Sequence, residues 1–438
     1  MFKKSIFWFR QDLRTFDNIW LFNAVQKSEN ILPIFIIDEN LQNEFWKEDK
    51  RFLFLYELLT DLKRELQEKG SDLYVFEGVP EIIFPELIKE YNIDSVFLNN
   101  SYSSYGKNRD LNILNFCNSQ NIQLFNYNDF LIFPPEKIPY RKVFTPFYKI
   151  WRRELDSIEL DLLKIEKINT EFSINNNIEI PNKKHPYFTL DTIKKSLSEF
   201  NFDTYEDFKD FPAIELGTSK LSPYLRFWKI SPRWLFLRTR DYNETFVKEI
   251  AWREFWHHIR YNFPEVDYLE FQEKRRNIDW INKKEDFEKF CNAETWYPII
   301  DAAIIQLKET NFMHGRVRMV VASFLTKNLL IDWKMWENFF KKYLLDYDET
   351  INIWNWQWSA SVWPDPKPLR VFNPILQSQK FDKNSEYVKK YIPELDRFSP
   401  QEIHDPIKYS LDWYFPPMID QKSSWKRARI YYKWENRE

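Results

Sequence analysis

Three stretches hold side chains whose types and spacing could do chemistry. The first is Glu249-Ile250-Ala251-Trp252-Arg253-Glu254-Phe255-Trp256. On a helix Glu249, Trp252 and Arg253 share a face at i, i+3 and i+4. A carboxylate, an indole and a guanidinium on one face can stack on a flat heteroaromatic and hydrogen-bond it; an aromatic core with a salt bridge is the plainer alternative. The second is Gly217-Thr218-Ser219-Lys220-Leu221-Ser222-Pro223. Hydroxyls at a turn into a helix, with free backbone N–H groups, suit a phosphate. Pro223 suits a first helical turn, and a simple helix cap is the alternative. The third runs from Asp346 through Asp348 and Asn352 to Trp354, Trp356 and Trp358. Asp346 and Asp348 can accept hydrogen bonds from sugar hydroxyls. Core packing accounts for one or two of the tryptophans, but three at alternate positions beside paired carboxylates point to a planar ligand.

The chain that must position these groups has 438 residues, enough for two or three domains. Aromatics make up 19%, which excludes a disordered chain. Two cysteines, Cys117 and Cys291, cannot build a disulfide framework. No apolar run approaches the roughly 18–20 residues that span a bilayer, and MFKKSIFWFR is charged too early for a secretory signal. The expectation is a soluble, cytoplasmic protein with no membrane partner and no metal site. Net charge is −3, yet Leu216–Arg240 holds Lys220, Arg226, Lys229, Arg233, Arg238 and Arg240 and no acid. A local patch of this kind can grip phosphates, because salt screens fields over about 8 Å; a solvated helix face is the alternative. Glycine numbers only 5, against a usual share of about 7%. A biased genome or a designed sequence would give this, and each glycine that remains is expected where the backbone tolerates little else.

The first part alternates strand and helix. β-rich runs at Ser5–Phe9, Ile31–Ile37, Leu73–Phe76, Ser95–Leu98 and Ile122–Phe125 predict five strands, with a helix over Lys50–Lys69. Helical crossovers imply an α/β domain with a parallel, doubly wound sheet, whose ligands sit beyond the strand carboxyl ends. The segment RQDLRTFDN follows the first strand and falls at such an edge; it has no Gly-rich loop, so a Rossmann dinucleotide site is not expected. Pro- and Asn-rich sequence between 129 and 195 predicts a long irregular connection. After about 196 the pattern is helical, most plainly at Val317–Leu330 and Trp333–Leu345. The domains expected are 1–128 (α/β), 129–195 (linker) and 196–438 (all-α).

Read together, these segments resemble the DNA photolyase/cryptochrome family. WFRQDLRTFDN is similar to its N-terminal signature. KVFTPFYKIW (Lys142–Trp151), GTSKLSPYL, WREFW, Met313–Trp333, WNWQW and RVFNPILQSQKFD (Arg370–Asp382) are similar to its flavin-domain motifs, in the right order. The resemblance implies an FAD cofactor. Tyr205, Thr218, Ser219, Lys220, Leu221 and Ser222 would hold its phosphates, and Arg253 would contact its flavin side. Asp346 and Asp348 would lie near ribose and ring, with Arg318 paired to Asp346, and Asn352 would face the flavin N5. Trp356, Trp333 and Trp280 match the family's electron-carrying tryptophan chain.

The resemblance further implies light-driven repair of cyclobutane pyrimidine dimers in UV-damaged DNA by a monomer. Glu249 would hydrogen-bond the flipped-out pyrimidine pair, Trp252 and Trp358 would wall it, Met319 fits the same branch, and Arg316 and Arg370 would contact the lesion or its phosphates. A (6-4) photolyase would have Gln at position 249 and histidines near Gly315 and Met319. A cryptochrome-type photoreceptor commonly carries a long C-terminal extension, whereas this chain ends at Glu438, soon after the basic aromatic segment Trp425–Trp434; the enzyme is therefore expected. Three departures stand out. Gly315 replaces a lesion-contacting Asn, Asn352–Trp356 has bulky residues where glycines are common, and Ala293–Pro298 lacks the glycines of the usual G-x-T-G-Y-P. Tyr105-Gly106-Lys107-Asn108-Arg109-Asp110, with Asp38 and Arg51, looks more like the members with a deazaflavin or FMN antenna than those with folate. Ser101 replaces an acid common there, and an empty antenna site is the alternative.

Overall fold

The computed structural model describes residues 1–41, 49–101, 103–174, 177–363, 369–409, 411 and 418–432. Asn175 and Asn176 of the irregular connection, and Lys433 and Trp434 of the basic aromatic segment, lie outside the described residues. The chain forms two compact units, residues 1–198 with 220–255 and residues 199–219 with 256–438.

In the first unit, apolar runs of five to eleven residues form β1 (Phe2–Phe9), β2 (Ser28–Asp38), β3 (Tyr74–Gly78), β4 (Ser95–Asn99) and β5 (Gln123–Tyr127). They pair in parallel in the order β3-β2-β1-β4-β5, the doubly wound sheet that the sequence predicts. Near-continuous hydrophobicity in β1 and β2 fits strands covered on both faces. The crossovers are α1 (Ile19–Lys27), α2 (Lys50–Glu68), α3 (Pro80–Tyr91) and α4 (Ser104–Ser119). Their starts are set chemically. Asn18 accepts from the Leu21 N–H, Asp49 from Arg51 and Ser103 from Gly106, and Pro80 opens α3.

The stretch read as an irregular connection also contains a helix, α5 (Phe144–Asp156). Its buried side chains, Phe147, Trp151 and Leu155, recur every four residues in a charged background. The flanking Pro and Asn residues hide that stripe. The RQDLRTFDN segment forms a knot of ion pairs. Arg10 forks onto Asp110 at 2.7 and 2.8 Å, Arg14 meets Asp129 at 2.8 Å, and Arg233 donates to Asp17. Lys229 pairs with Asp61 and Glu65. Two of the six cations in Leu216–Arg240 are thus internal.

The second unit is helical. Its core joins Ile300, Ile304 and Leu307 of the Pro298–Thr310 helix to Val321, Phe324, Trp333, Trp336 and Trp356. The helix expected over Val317–Leu330 is α-helical over Gly315–Ser323 and continues as a π-helix over Phe324–Leu329. No helix among the described residues is long and apolar enough to cross a membrane.

Candidate functional site

The Glu244–Asn262 helix carries Glu249, Trp252 and Arg253 in the first unit. Glu249 is exposed and Trp252 is half-buried. The Trp252 indole stacks on Phe144, with centroids 3.6 Å apart and planes 6° apart. Arg253 lies 3.9 Å over the Phe130 ring and donates to the Phe130 carbonyl at 2.9 Å. Glu254, which sequence reasoning passes over, is fully buried. It accepts from the Ile132 N–H, from Phe133 N–H at 3.3 Å and from the Trp151 indole at 2.7 Å. Burial pushes its carboxyl up to about 7, against the opposing pull of those donors. A carboxylate embedded in an aromatic run was the available signal.

Lys220 takes a left-handed backbone, φ 52°, and Leu221 precedes the short Ser222–Arg226 helix without any side-chain cap. In the second unit, Gly217 is held tightly. A Cβ there would stand 2.8 Å from the Phe208 carbonyl, so the Gly217-Thr218-Ser219 turn packs directly on the Tyr205–Phe208 segment.

Arg318 forks onto Asp346 at 2.9 and 3.1 Å, the pairing expected, and its Nε donates to the Met313 carbonyl. Asp348 caps the Glu349–Ser359 helix by accepting from Ile351 N–H. Asn352 is buried on that helix, and its amide donates to Glu337 at 3.5 Å. Tyr347 also donates to Glu337, whose carboxyl is raised by burial. A flavin nucleotide needs hydroxyl and amide donors for its phosphates, and a polar edge of fixed orientation for its ring. Thr218, Ser219, the Arg318–Asp346 pair and the oriented Asn352 amide meet that requirement, so the residues fit the group.

The three tryptophans at alternate positions divide by helical geometry. Trp354 and Trp358 are four residues apart and share a side, while Trp356 points elsewhere. Trp354 is core, packed among Trp256, Phe271 and Trp363. Trp356 and Trp333 are buried in the unit's core, with Trp280 packed against it. Trp336, not singled out in the sequence, lies 6.0 Å from Trp356 at 80°. Trp358 is half-buried, with the exposed Arg370 guanidinium 5.7 Å from its ring. Arg316 pairs with Asp210 at 2.6 Å and covers Phe381. Met319 is half-buried on the Gly315–Ser323 helix. No cluster of potential metal ligands occurs among the described residues.

At the carboxyl end of β2, Asp38 accepts from the Tyr105 hydroxyl at 2.7 Å and from Arg109 at 3.3 Å. Gly106 is required there, because a Cβ would fall 1.9 Å from Ser101 Oγ. Arg51 is paired with Asp49, the cap of its own helix.

A doubly wound sheet followed by a helical unit with flavin-fitting polar groups defines a recognisable class. Residues 5–166 match the DNA photolyase domain and residues 246–433 match the FAD binding domain of DNA photolyase. The deoxyribodipyrimidine photo-lyase of Alkalihalophilus pseudofirmus is 32% identical, across 98% of this chain and 98% of its own. The structure of an archaeal photolyase from Sulfolobus tokodaii with two FAD molecules superposes with a TM-score of 0.88 at 32% identity, covering 98% of this chain and 99% of that one. The Synechocystis cryptochrome shares the fold, with a TM-score of 0.87 at 24% identity over 98% of this chain and 99% of its own. The chain belongs to the DNA photolyase family.

Proposed function

We propose that this protein repairs cyclobutane pyrimidine dimers in UV-damaged DNA under light. The observation that carries the reading is an exposed Glu249 one turn before a half-buried Trp252 on one helix. This pair stands in a chain similar over its full length to deoxyribodipyrimidine photo-lyases. FAD, when bound in its reduced form, supplies the light-excited electron that opens the dimer. The chain's own work is recognition, orientation and exclusion of water. Glu249 accepts hydrogen bonds from the flipped pyrimidines. Trp252 and Trp358 offer flat faces to them, Met319 lines the lesion, and Arg370 and Arg316 hold phosphates. Thr218, Ser219, Lys220, Leu221, Ser222 and Tyr205 hold the cofactor's phosphates. Arg253, Arg318, Asp346, Asp348 and Asn352 orient the rest of it. Trp280, Trp333 and Trp356 carry electrons inward.

Glu249, at the position where a (6-4) photolyase would have Gln, supports this reading over (6-4) repair. His314, the histidine beside Gly315, is buried, and its Nδ1 accepts from the Arg316 N–H as a helix cap. A second, flavin-type chromophore at Asp38, Tyr105 and Arg109 belongs to the same reading. It is supported by the position of these residues at the strand carboxyl ends.

Glu249→Ala tests the proposal. Loss of a hydrogen bond to a charged group predicts a fall in repair of about tenfold or more, with bound FAD unchanged. Unaltered repair would show that the lesion lies elsewhere.

A further inference from the structure

The Trp252 indole is clamped from within its own unit. Phe144 lies parallel to it at 3.6 Å, face to face, and Phe255 meets it edge-on at 5.4 Å and 82°. A ring laid flat on the indole at this distance resists its rotation about its side-chain bonds. Phe144 is itself held by α5. Its ring continues through Tyr148 to Trp151, each step stacked at 25° with centroids 5.7 and 6.0 Å apart. The ladder ends where the Trp151 indole donates to the buried Glu254 at 2.7 Å. Glu254 sits two residues beyond Trp252, so α5 is fastened to the very turn that carries the indole. Phe147 packs on Phe255 at 5.4 Å and closes the same joint.

We propose that Phe144 is a positioning residue for Trp252, fixing the indole plane as a preformed wall for flat pyrimidine rings. The inference rests on the repair reading above. Simple space-filling needs only apolar volume at position 144; positioning needs a flat ring.

The test measures the affinity of FAD-loaded protein, in the dark, for an oligonucleotide with one thymine dimer and for its undamaged twin. Phe144→Leu should weaken dimer binding about three- to tenfold, the range of one aromatic pair. Phe144→Tyr should restore binding to within about twofold, and undamaged DNA should bind all variants alike. Wild-type dimer affinity in Phe144→Leu, or equal losses in the Leu and Tyr variants, would overturn the proposal. So would a parallel loss for undamaged DNA, which marks general disruption. Trp252→Ala separates the two levels. If it leaves dimer affinity intact, the underlying lesion assignment fails and the proposal with it. If it weakens binding while Phe144→Leu does not, only the positioning role fails. The double variant should bind no more weakly than Trp252→Ala alone.

Discussion

At the residue scale, the scarcity of glycine has a local cost. Ala293 and Trp296 stand at φ 63° and 70°, in the left-handed region. These are the two positions where the family's G-x-T-G-Y-P has glycine. A left-handed L-residue costs about 1–2 kcal/mol, and the extra chain entropy of glycine returns about 0.5–1 kcal/mol of that. Ala293→Gly is therefore expected to raise stability by up to about 1 kcal/mol, read as a higher urea midpoint. A lower midpoint would show that the methyl group earns its place by packing. Gly315 is the opposite case. Nothing lies within 4 Å of the Cβ it lacks, so packing does not impose a glycine there. Gly217 and Gly106, each hard against a neighbouring oxygen, do follow the expectation drawn from composition.

At the scale of elements, legibility tracks periodicity. The five strands were readable because each is a short apolar run bounded by polar residues, and α2 because its leucines keep helical spacing. α5 was not, since three buried side chains were outweighed by the Pro and Asn around it. The Phe144–Trp252 stack was invisible for a different reason: neither separation in sequence nor residue type announces a contact across 108 positions. The polar groups were more legible than their partners. Arg318 and Asp346 were paired in advance through the resemblance, whereas Glu254 and Glu337 gained meaning only from the groups they hold.

The joint between α5 and the Glu244–Asn262 helix carries a pH signature. Because burial raises Glu254 to about 7, the folded state keeps a proton that the unfolded chain releases at lower pH. Stability from this group therefore falls as pH rises from the ordinary glutamate range to about 7, and is flat above. Asp129 and Asp382, both raised by burial to about 6, act in the same direction over a lower window. Urea midpoints should fall between pH 5 and 8, and Glu254→Gln, which cannot ionise, should flatten the upper part of that fall. An unchanged slope in the variant would contradict a protonated Glu254.

For the whole molecule, a net charge of −3 gives no long-range attraction to DNA. On the proposed reading, binding comes from local cations and from recognition of the lesion itself. Lys229 and Arg233 are committed to internal pairs, so that reading assigns the grip to others, among them the exposed Arg370 beside Trp358. The fold class and the family were legible from the order of long motifs. The proposed cofactor and lesion residues lie in scattered segments, and no periodicity brings Thr218, Asp346 and Glu249 into one account; assigning them needed the resemblance. The most direct test of the central claim mixes photoreduced, oxygen-free protein with a thymine-dimer oligonucleotide and follows pyrimidine absorbance under near-UV light. Repair predicts a recovery of absorbance in the light and none in the dark. No recovery, with reduced FAD demonstrably bound, would contradict the account.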